Sequence, residues 1–222
     1  TESEGKYFKY QKGITLDKAD PEELHVNLGI NHEKYSILNV SDSDIMKAFD
    51  RLALDEVYQT EGLADFGCTS PAVQSYMANL AINENYFYPV STVNSTNYLA
   101  IANSANKLSK DSYKLYVSAP WDVDSGTVGF KYYAAPSTLY WEAVGRNRGL
   151  DREFAPIIGQ TNGVVQYQKP VTEFNKKTRQ LLLSKKINTV MWNNQSQAWN
   201  MNDNYTKQSE DNIMSDEANS RL

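Results

Sequence analysis

From residue 41 onward, apolar positions recur alternately at helical spacing and in short runs, the rhythm of helices and strands taken in turn. Ser41-Asp42-Ser43-Asp44 offers an N-cap to Ile45, Met46, Phe49, Leu52 and Ala53, so a helix is expected from Asp42 to about Leu54. Glu56–Thr60 reads as a strand running into the loop from Glu61 to Gly67. Thr69-Ser70-Pro71 then caps a helix whose buried face would be Val73, Tyr76, Met77, Leu80 and Ala81. A second strand is expected at Tyr86–Val90. A helix opened by Ser95-Thr96 follows, with Leu99, Ile101, Ala102, Ala105 and Leu108 inward, and then a third strand at Tyr113–Ala119. Strand and helix in this order imply right-handed crossovers, hence an α/β fold with a mainly parallel sheet flanked by helices.

The second half of the pattern is less regular. Asp122–Gly129 is turn-rich, and Pro136-Ser137 starts a helix bearing Leu139, Trp141 and Val144 that is expected to stop at Gly145. Residues 146 to 165 hold three glycines and a proline without sustained periodicity, which predicts a long ordered loop. Thr172-Glu173 caps a further helix reaching about Lys186, with Phe174, Leu181 and Leu182 on one face. Ile187–Trp192 and Ser196–Met201 flank the polar turn Asn193-Asn194-Gln195, a β-hairpin signal. Residues 1–40 read as loop with short strands. The organisation expected is a polar, peripheral segment over 1–54, an α/β core over 55–145 and a further region over 146–222.

Charge changes this picture more than composition does. The formal charge is −5, yet Arg146 to Lys186 contains nine basic residues (Arg146, Arg148, Arg152, Lys169, Lys176, Lys177, Arg179, Lys185, Lys186) against three acidic ones. That segment is therefore +6 and the remainder −11. A basic strip on an acidic body suits either a solvated helix face or the acidic face of an identical neighbour, and overall acidity argues against nucleic acid as its partner. The 15 tyrosines fit an interface or half-buried strands equally. One cysteine excludes an internal disulfide and fits a reducing compartment. No run approaches the roughly 18 apolar residues of a membrane-spanning helix.

Candidate chemistry is sparse. Cys68 stands at a helix start, where a thiol can be activated, but His25 and His32 lie far off in an irregular segment, and a plain small residue is the simpler reading. Asp65-Phe66-Gly67 spells a kinase tripeptide without the other kinase motifs. Asp111, Asp122 and Asp124 read as turn acids sooner than a cation site. No catalytic, cofactor or metal site is assigned. If the chain were an α/β enzyme, its ligand would be expected at the strand ends near Glu61–Ser70.

The order of features after Gly145 resembles the contractile tail sheath proteins of tailed bacteriophages. The resemblance rests on the Arg-rich turn and Ala-Pro element Asn147–Pro156, on Gly163-Val164-Val165, and on the helix end from Leu181 to Ile187-Asn188. Trp192, Thr206 and Asn219-Ser220-Arg221-Leu222 are similar to later family positions, with Asn193-Asn194 and Ser220 departing from the pattern. The resemblance implies a structural, non-enzymatic subunit without cofactor, in stacked hexameric rings around a tail tube in the virion, assembled in the host cytoplasm. Its partners would be identical subunits, the tube protein, and baseplate and tail terminator proteins, with neither nucleic acid nor membrane among them. Arg146, Arg148, Arg152, Lys176, Lys177, Arg179, Lys185 and Lys186 would serve inter-subunit contact. Residues 146–222 would open the tube-proximal domain. The chain does not begin with Met, and it is expected to be a fragment lacking the terminal arms. A bacterial contractile injection device would share the same mechanism.

Overall fold

The computed structural model describes residues 41–50, 61–124, 132–152, 154–210 and 212–216. The chain divides into two units, Thr1–Lys47 and Ala48–Leu222. Helix α1 spans Asp42–Asp50, and its first turn is closed reciprocally: the Asp44 amide donates to Ser41 Oγ at 3.2 Å and the Ser41 amide to Asp44 Oδ2 at 3.2 Å. The expected continuation to Leu54, the strand at Glu56–Thr60 and all of residues 1–40 lie outside the described residues.

In the second unit α2 (Pro71–Asn83) begins behind an extended Ser70, with Pro71 in its first turn and Val73, Met77, Leu80 and Ala81 buried. Asn85, at φ 61°, reverses the chain into β1 (Tyr88–Ser91). Helix α3 (Tyr98–Lys107) is capped by Asn97, whose side chain accepts from the Leu99 amide at 2.9 Å, and leads to β2 (Leu115–Ala119). Ile101, Ala102, Ala105 and Leu108 are buried as the periodicity predicts, whereas Leu99 is exposed beside the cap. The turn-rich stretch from Asp122 contains β3 (Asp122–Asp124), paired antiparallel with β4 (Tyr132–Ala134).

Helix α4 spans Pro136–Arg148 and corrects the expected stop at Gly145. The buried stripe of Leu139, Tyr140, Ala143 and Val144 continues to Asn147, so packing carries the helix one turn past a glycine that local propensity reads as a terminator. The expected long loop holds two short elements, α5 (Gly159–Asn162) and β5 (Val164–Val165). Helix α6 is shorter than expected, Lys176–Leu183, because Asn175 provides the cap, its Oδ1 accepting from the Thr178 amide at 2.9 Å. Leu182 is buried there, but Leu181 is exposed and Phe174 packs inward ahead of the helix. The hairpin forms as expected from β6 (Ile187–Asn193) and β7 (Ala198–Met201).

Among the described residues the five main strands share one sheet in the order β1-β2-β6-β7-β5. β1, β2 and β6 are parallel, while β7 pairs antiparallel with both β6 and β5. The sheet is therefore mixed, which narrows the expected mainly parallel arrangement to its first three strands; the hairpin does not stand apart but adds directly to them. Helix α4 packs on β1, β2 and β5. Phe87, Tyr116, Val190, Met201 and Val165 of the sheet meet Tyr140, Ala143 and Val144 of the helix in one buried cluster. Alternation turns Leu115, Val117 and Ile187 to the other face, where each is also buried.

The cluster is largely aromatic. Tyr140 stacks tilted on Tyr116 with centroids 4.8 Å apart and on Phe87 at 5.7 Å, and Trp141 meets Phe87 edge-on at 6.4 Å. The Tyr116 hydroxyl donates to the Asp203 carbonyl at 3.2 Å, so its polar tip is satisfied inside. Trp141 also presses on Gly62, where an added Cβ would lie 2.2 Å from Trp141 Cζ2 and 2.6 Å from the Phe87 carbonyl oxygen. Gly145 faces open space. Gly62→Ala is expected to destabilise the fold by about 1–3 kcal/mol through overpacking. Gly145→Ala, in an exposed helix interior, should stabilise it by about 0.5–1 kcal/mol. Urea unfolding midpoints of the two variants read both effects.

Candidate functional site

The C-terminal end of α4 and the turn after it build an open groove. After Arg148 the chain bends tightly: the amides of Leu150 and Arg152 donate to the Asn147 carbonyl at 3.0 and 2.9 Å, and Asp151 takes φ 56°. Asn147 itself is buried and ties the turn to α5, its Nδ2 donating to the Asn162 carbonyl at 2.9 Å. The resulting groove encloses about 720 Å³ and is lined by Arg148, Asp151, Arg152, Phe154, Ala155, Thr161 and Asn162. Phe154, in its wall, is 63% exposed, and Leu150 on the same turn is 57% exposed.

The three arginines of this region have different surroundings. Arg146 turns inward, donating from Nη2 to the Val164 carbonyl at 2.5 Å, and burial holds its pKa below the usual guanidinium value while Glu142 opposes that shift. Arg148 forms an ion pair with Glu61 at 2.6 Å, both side chains being about half exposed or more. Among the described residues the Arg152 side chain reaches the Asn162 amide oxygen, at 3.4 Å. Arg148 and Arg152 thus share the groove, and Arg146 braces β5 against α4.

The basic residues around α6 are distributed otherwise. Lys176 and Lys177 are exposed at the first turn, where positive charge opposes the helix dipole, so they do not serve the helix itself. Arg179 folds back to the Phe174 carbonyl at 2.6 Å. Lys185 is exposed in the following turn, and Lys186, at φ 56°, lies over the Tyr205 ring at 5.0 Å. Lys186 and Tyr205 line a smaller depression of about 360 Å³ with Gln180, Leu183 and Ser184. Of the strip, Arg148 and Arg152 therefore line one surface and Lys186 another, while Arg146, Lys176, Lys177, Arg179 and Lys185 line neither.

The loop Glu61–Ser70 is filled from within. Asp65 is buried, and its carboxylate accepts from the Ser91 amide at 2.7 Å, Ser91 Oγ at 2.7 Å, Ser137 Oγ at 2.6 Å, the Gly67 amide at 3.1 Å, Gln74 Nε2 at 3.3 Å and the Tyr88 hydroxyl at 3.4 Å. Trp141 donates to the Leu63 carbonyl at 2.7 Å, and the Trp121 ring closes on Gly67. This network joins the loop to β1, α2 and α4, and it consumes the polar groups that a ligand at the strand ends would use. Apart from the Gly67 amide, two residues on, its partners lie 9 to 72 residues away and leave no local signal, so Asp65 is legible in sequence only as part of a chance tripeptide.

The remaining candidates are also engaged in structure. Cys68 is half-buried, its amide donating to the Asp65 carbonyl at 2.8 Å. Both histidines lie outside the described residues. Asp111 clamps Ser209, accepting from its amide at 2.8 Å and from its hydroxyl, and these bonds hold its carboxyl below the ordinary range. Asp122 accepts from the amides of Gln168 and Lys169 at 3.1 and 2.8 Å. Among the described residues no three His, Cys, Asp or Glu side chains gather as a metal site, and no helix is long and apolar enough to cross a membrane.

Asp65→Ala would strand several buried donors and is expected to cost about 3 kcal/mol or more in urea unfolding. Tyr88, buried against Asp65, carries a second expectation. Burial first, and the carboxylate next, push its phenol well above the ordinary 10.0. Its contribution to stability is complete below about pH 10 and is lost as pH rises toward the folded-state value, because only the unfolded chain then releases the proton, at up to about 1.4 kcal/mol per pH unit. Unfolding midpoints between pH 9 and 11 should fall less steeply in Tyr88→Phe than in the parent protein.

No protein-family model matches this sequence, and no curated protein matches it. Among solved structures, the chain is similar to the helical sheath of the anti-feeding prophage in its contracted state, with 18% identity and a TM-score of 0.55 over 85% of this chain and 50% of that one. It is also similar to a chain of the anti-feeding prophage baseplate, six-fold symmetrised, with 13% identity and a TM-score of 0.57 over 97% of this chain and 59% of that one. The chain spans half to about three fifths of the length of these neighbours. Its α/β fold is similar to that of these sheath and baseplate chains.

Proposed function

We propose that the chain is a structural subunit of a contractile sheath, stacking with identical copies in rings around an inner tube and re-docking during contraction to drive the tube forward. The observation that carries this reading is the structural likeness, over most of the chain, to sheath and baseplate chains of one contractile particle. These neighbours favour an injection device of that kind over a phage tail, although the mechanism is common to both. Identical subunits, the tube, the baseplate and a tail terminator are the partners, on a particle assembled in the producing cell's cytoplasm. Residues 146–222 belong to the tube-proximal side.

Such a machine requires a subunit that moves as a near-rigid body and surfaces that exchange partners. The aromatic cluster and the Asp65 network supply the first. The exposed cations Arg148, Arg152, Lys176, Lys177 and Lys185 on a chain of net charge −5 supply the second. A catalytic reading finds less support, since the loop Glu61–Ser70 spends its buried carboxylate on holding three elements together.

Electron microscopy of the purified protein at low and high salt is expected to reveal hollow tubes with a helical repeat. Arg148→Glu with Arg152→Glu should abolish them while leaving the melting temperature within a few degrees of the parent's, since both side chains are exposed. Arg146 is unsuited to this test because its side chain braces β5. Dispersed monomers under every condition would contradict the reading.

A further inference from the structure

The turn Asp65-Phe66-Gly67-Cys68 holds a residue that its own geometry does not favour. The Cys68 amide closes it on the Asp65 carbonyl at 2.8 Å, and both central residues take positive φ, 46° at Phe66 and 87° at Gly67. Positive φ at both positions marks a type I′ turn, whose preferred pair is Asn-Gly; a bulky aromatic in the first position is strained. Burial within the chain does not offset that strain. Phe66 is 77% exposed, the most exposed large apolar side chain among the described residues. The frame beneath it is firm, since the Asp65 carboxylate accepts from the Ser91 amide at 2.7 Å and from Ser137 Oγ at 2.6 Å, and the Trp121 ring closes on Gly67. Strain of this kind persists where function uses it, and a ring already held in place loses little freedom on binding.

The surroundings of Phe66 say what would receive it. Between Gly62 and Asn83 the single charged residue is Asp65, which is buried, so the segment carrying the ring presents no charge. The groove at the end of α4 matches that character. Arg148 is paired with Glu61, and Arg152 shares the wall with Asp151, so among the described residues its charges balance, while Phe154 and Ala155 add apolar surface. An uncharged ring enters such a groove without stranding an ion, and the planar Arg152 guanidinium can stack on its face. The same chain does not supply it. The Phe66 turn meets Ala135 and Ser137 at the start of α4, and the groove opens beyond the end of that 13-residue helix, about 20 Å away at 1.5 Å per residue.

We propose that Phe66 of one copy inserts into the groove of a second, its ring on Phe154. Ring and groove stand at opposite ends of one helix, so the contact is heterologous: repeated, it closes a ring of subunits or extends a helical array and does not stop at a symmetric pair. The proposal deepens the sheath reading by naming one of its interfaces, and it rests on that reading for the role of the contact.

Analytical ultracentrifugation at about 1 M salt, where a screening length of about 3 Å suppresses exposed ionic contacts, isolates this apolar one. The parent should associate beyond dimers as concentration rises. Phe66→Asn, which suits the turn, should raise the urea unfolding midpoint and yet weaken association at least about tenfold. Phe154→Ser, at an exposed position, should weaken association equally with an unchanged circular dichroism spectrum. Mixed one to one, the intact ring of the second variant meets the intact groove of the first, and assembly should stop at dimers. A parent monomeric at every concentration, a Phe66→Asn protein of lowered stability, parent-like association of either variant, or a mixture no larger than its parts would each overturn the contact. Tubes that persist in both variants would overturn the contact and leave the sheath reading standing. Dimers in the mixture, with no tubes from the parent by microscopy, would do the reverse.

Discussion

Tyr140 packs against both Phe87 and Tyr116, which also meet each other, and the rest of the second unit depends on that packing of α4 against the sheet. Three rings with the edge of Trp141 form the centre of the buried cluster, so large-to-small changes there would each remove several kcal/mol, on the order of 3–5 for an aromatic to Ala. The helix is fixed at both ends as well. Near its start, Ser137 joins Asp65 and Ser91; near its end, Arg146 and Asn147 reach β5 and α5. The groove that follows is thus mounted on a helix tied down near both ends, which gives a surface contact a firm base.

Much of the fold was legible in the sequence because burial and periodicity coincide there. Pro71, the runs before Val90 and Ala119, and the alternation around Trp192 all mark elements that form. The misreadings share one cause, tertiary contacts overriding local signals. Gly145 stops a helix by propensity, yet Asn147 is buried and prolongs it. Thr172 and Asn175 can each cap, and Asn175 does so while Phe174 packs beneath. Strand direction was hidden too: nothing in Ile187–Met201 reveals that β6 runs parallel to β2 while β7 returns to meet β5. The tyrosines among the described residues prove divided, with Tyr88, Tyr116 and Tyr140 fully buried and Tyr98, Tyr133 and Tyr205 outward.

The basic segment illustrates what charge counting can and cannot give. Nine cations between Arg146 and Lys186 announce a surface, but their surroundings separate them by role: Arg146 braces, Arg148 pairs, Arg152 and the lysines of α6 face solvent. The groove's apolar wall and the presented Phe66 carry no sequence signature, since exposure is decided by the fold. For a contractile assembly this division is physically apt. Interfaces that must break and re-form favour exposed charge around a small apolar contact, strong enough to specify a neighbour and weak enough to release it.

A helical reconstruction of the assembled protein, at a resolution that displays side chains, tests the account most directly. It predicts that the mixed sheet and α4 are carried intact into every subunit, with the groove at Arg148 and Arg152 covered by an identical neighbour. Subunits without helical or ring symmetry, or a symmetric array in which that groove faces solvent throughout, would contradict it.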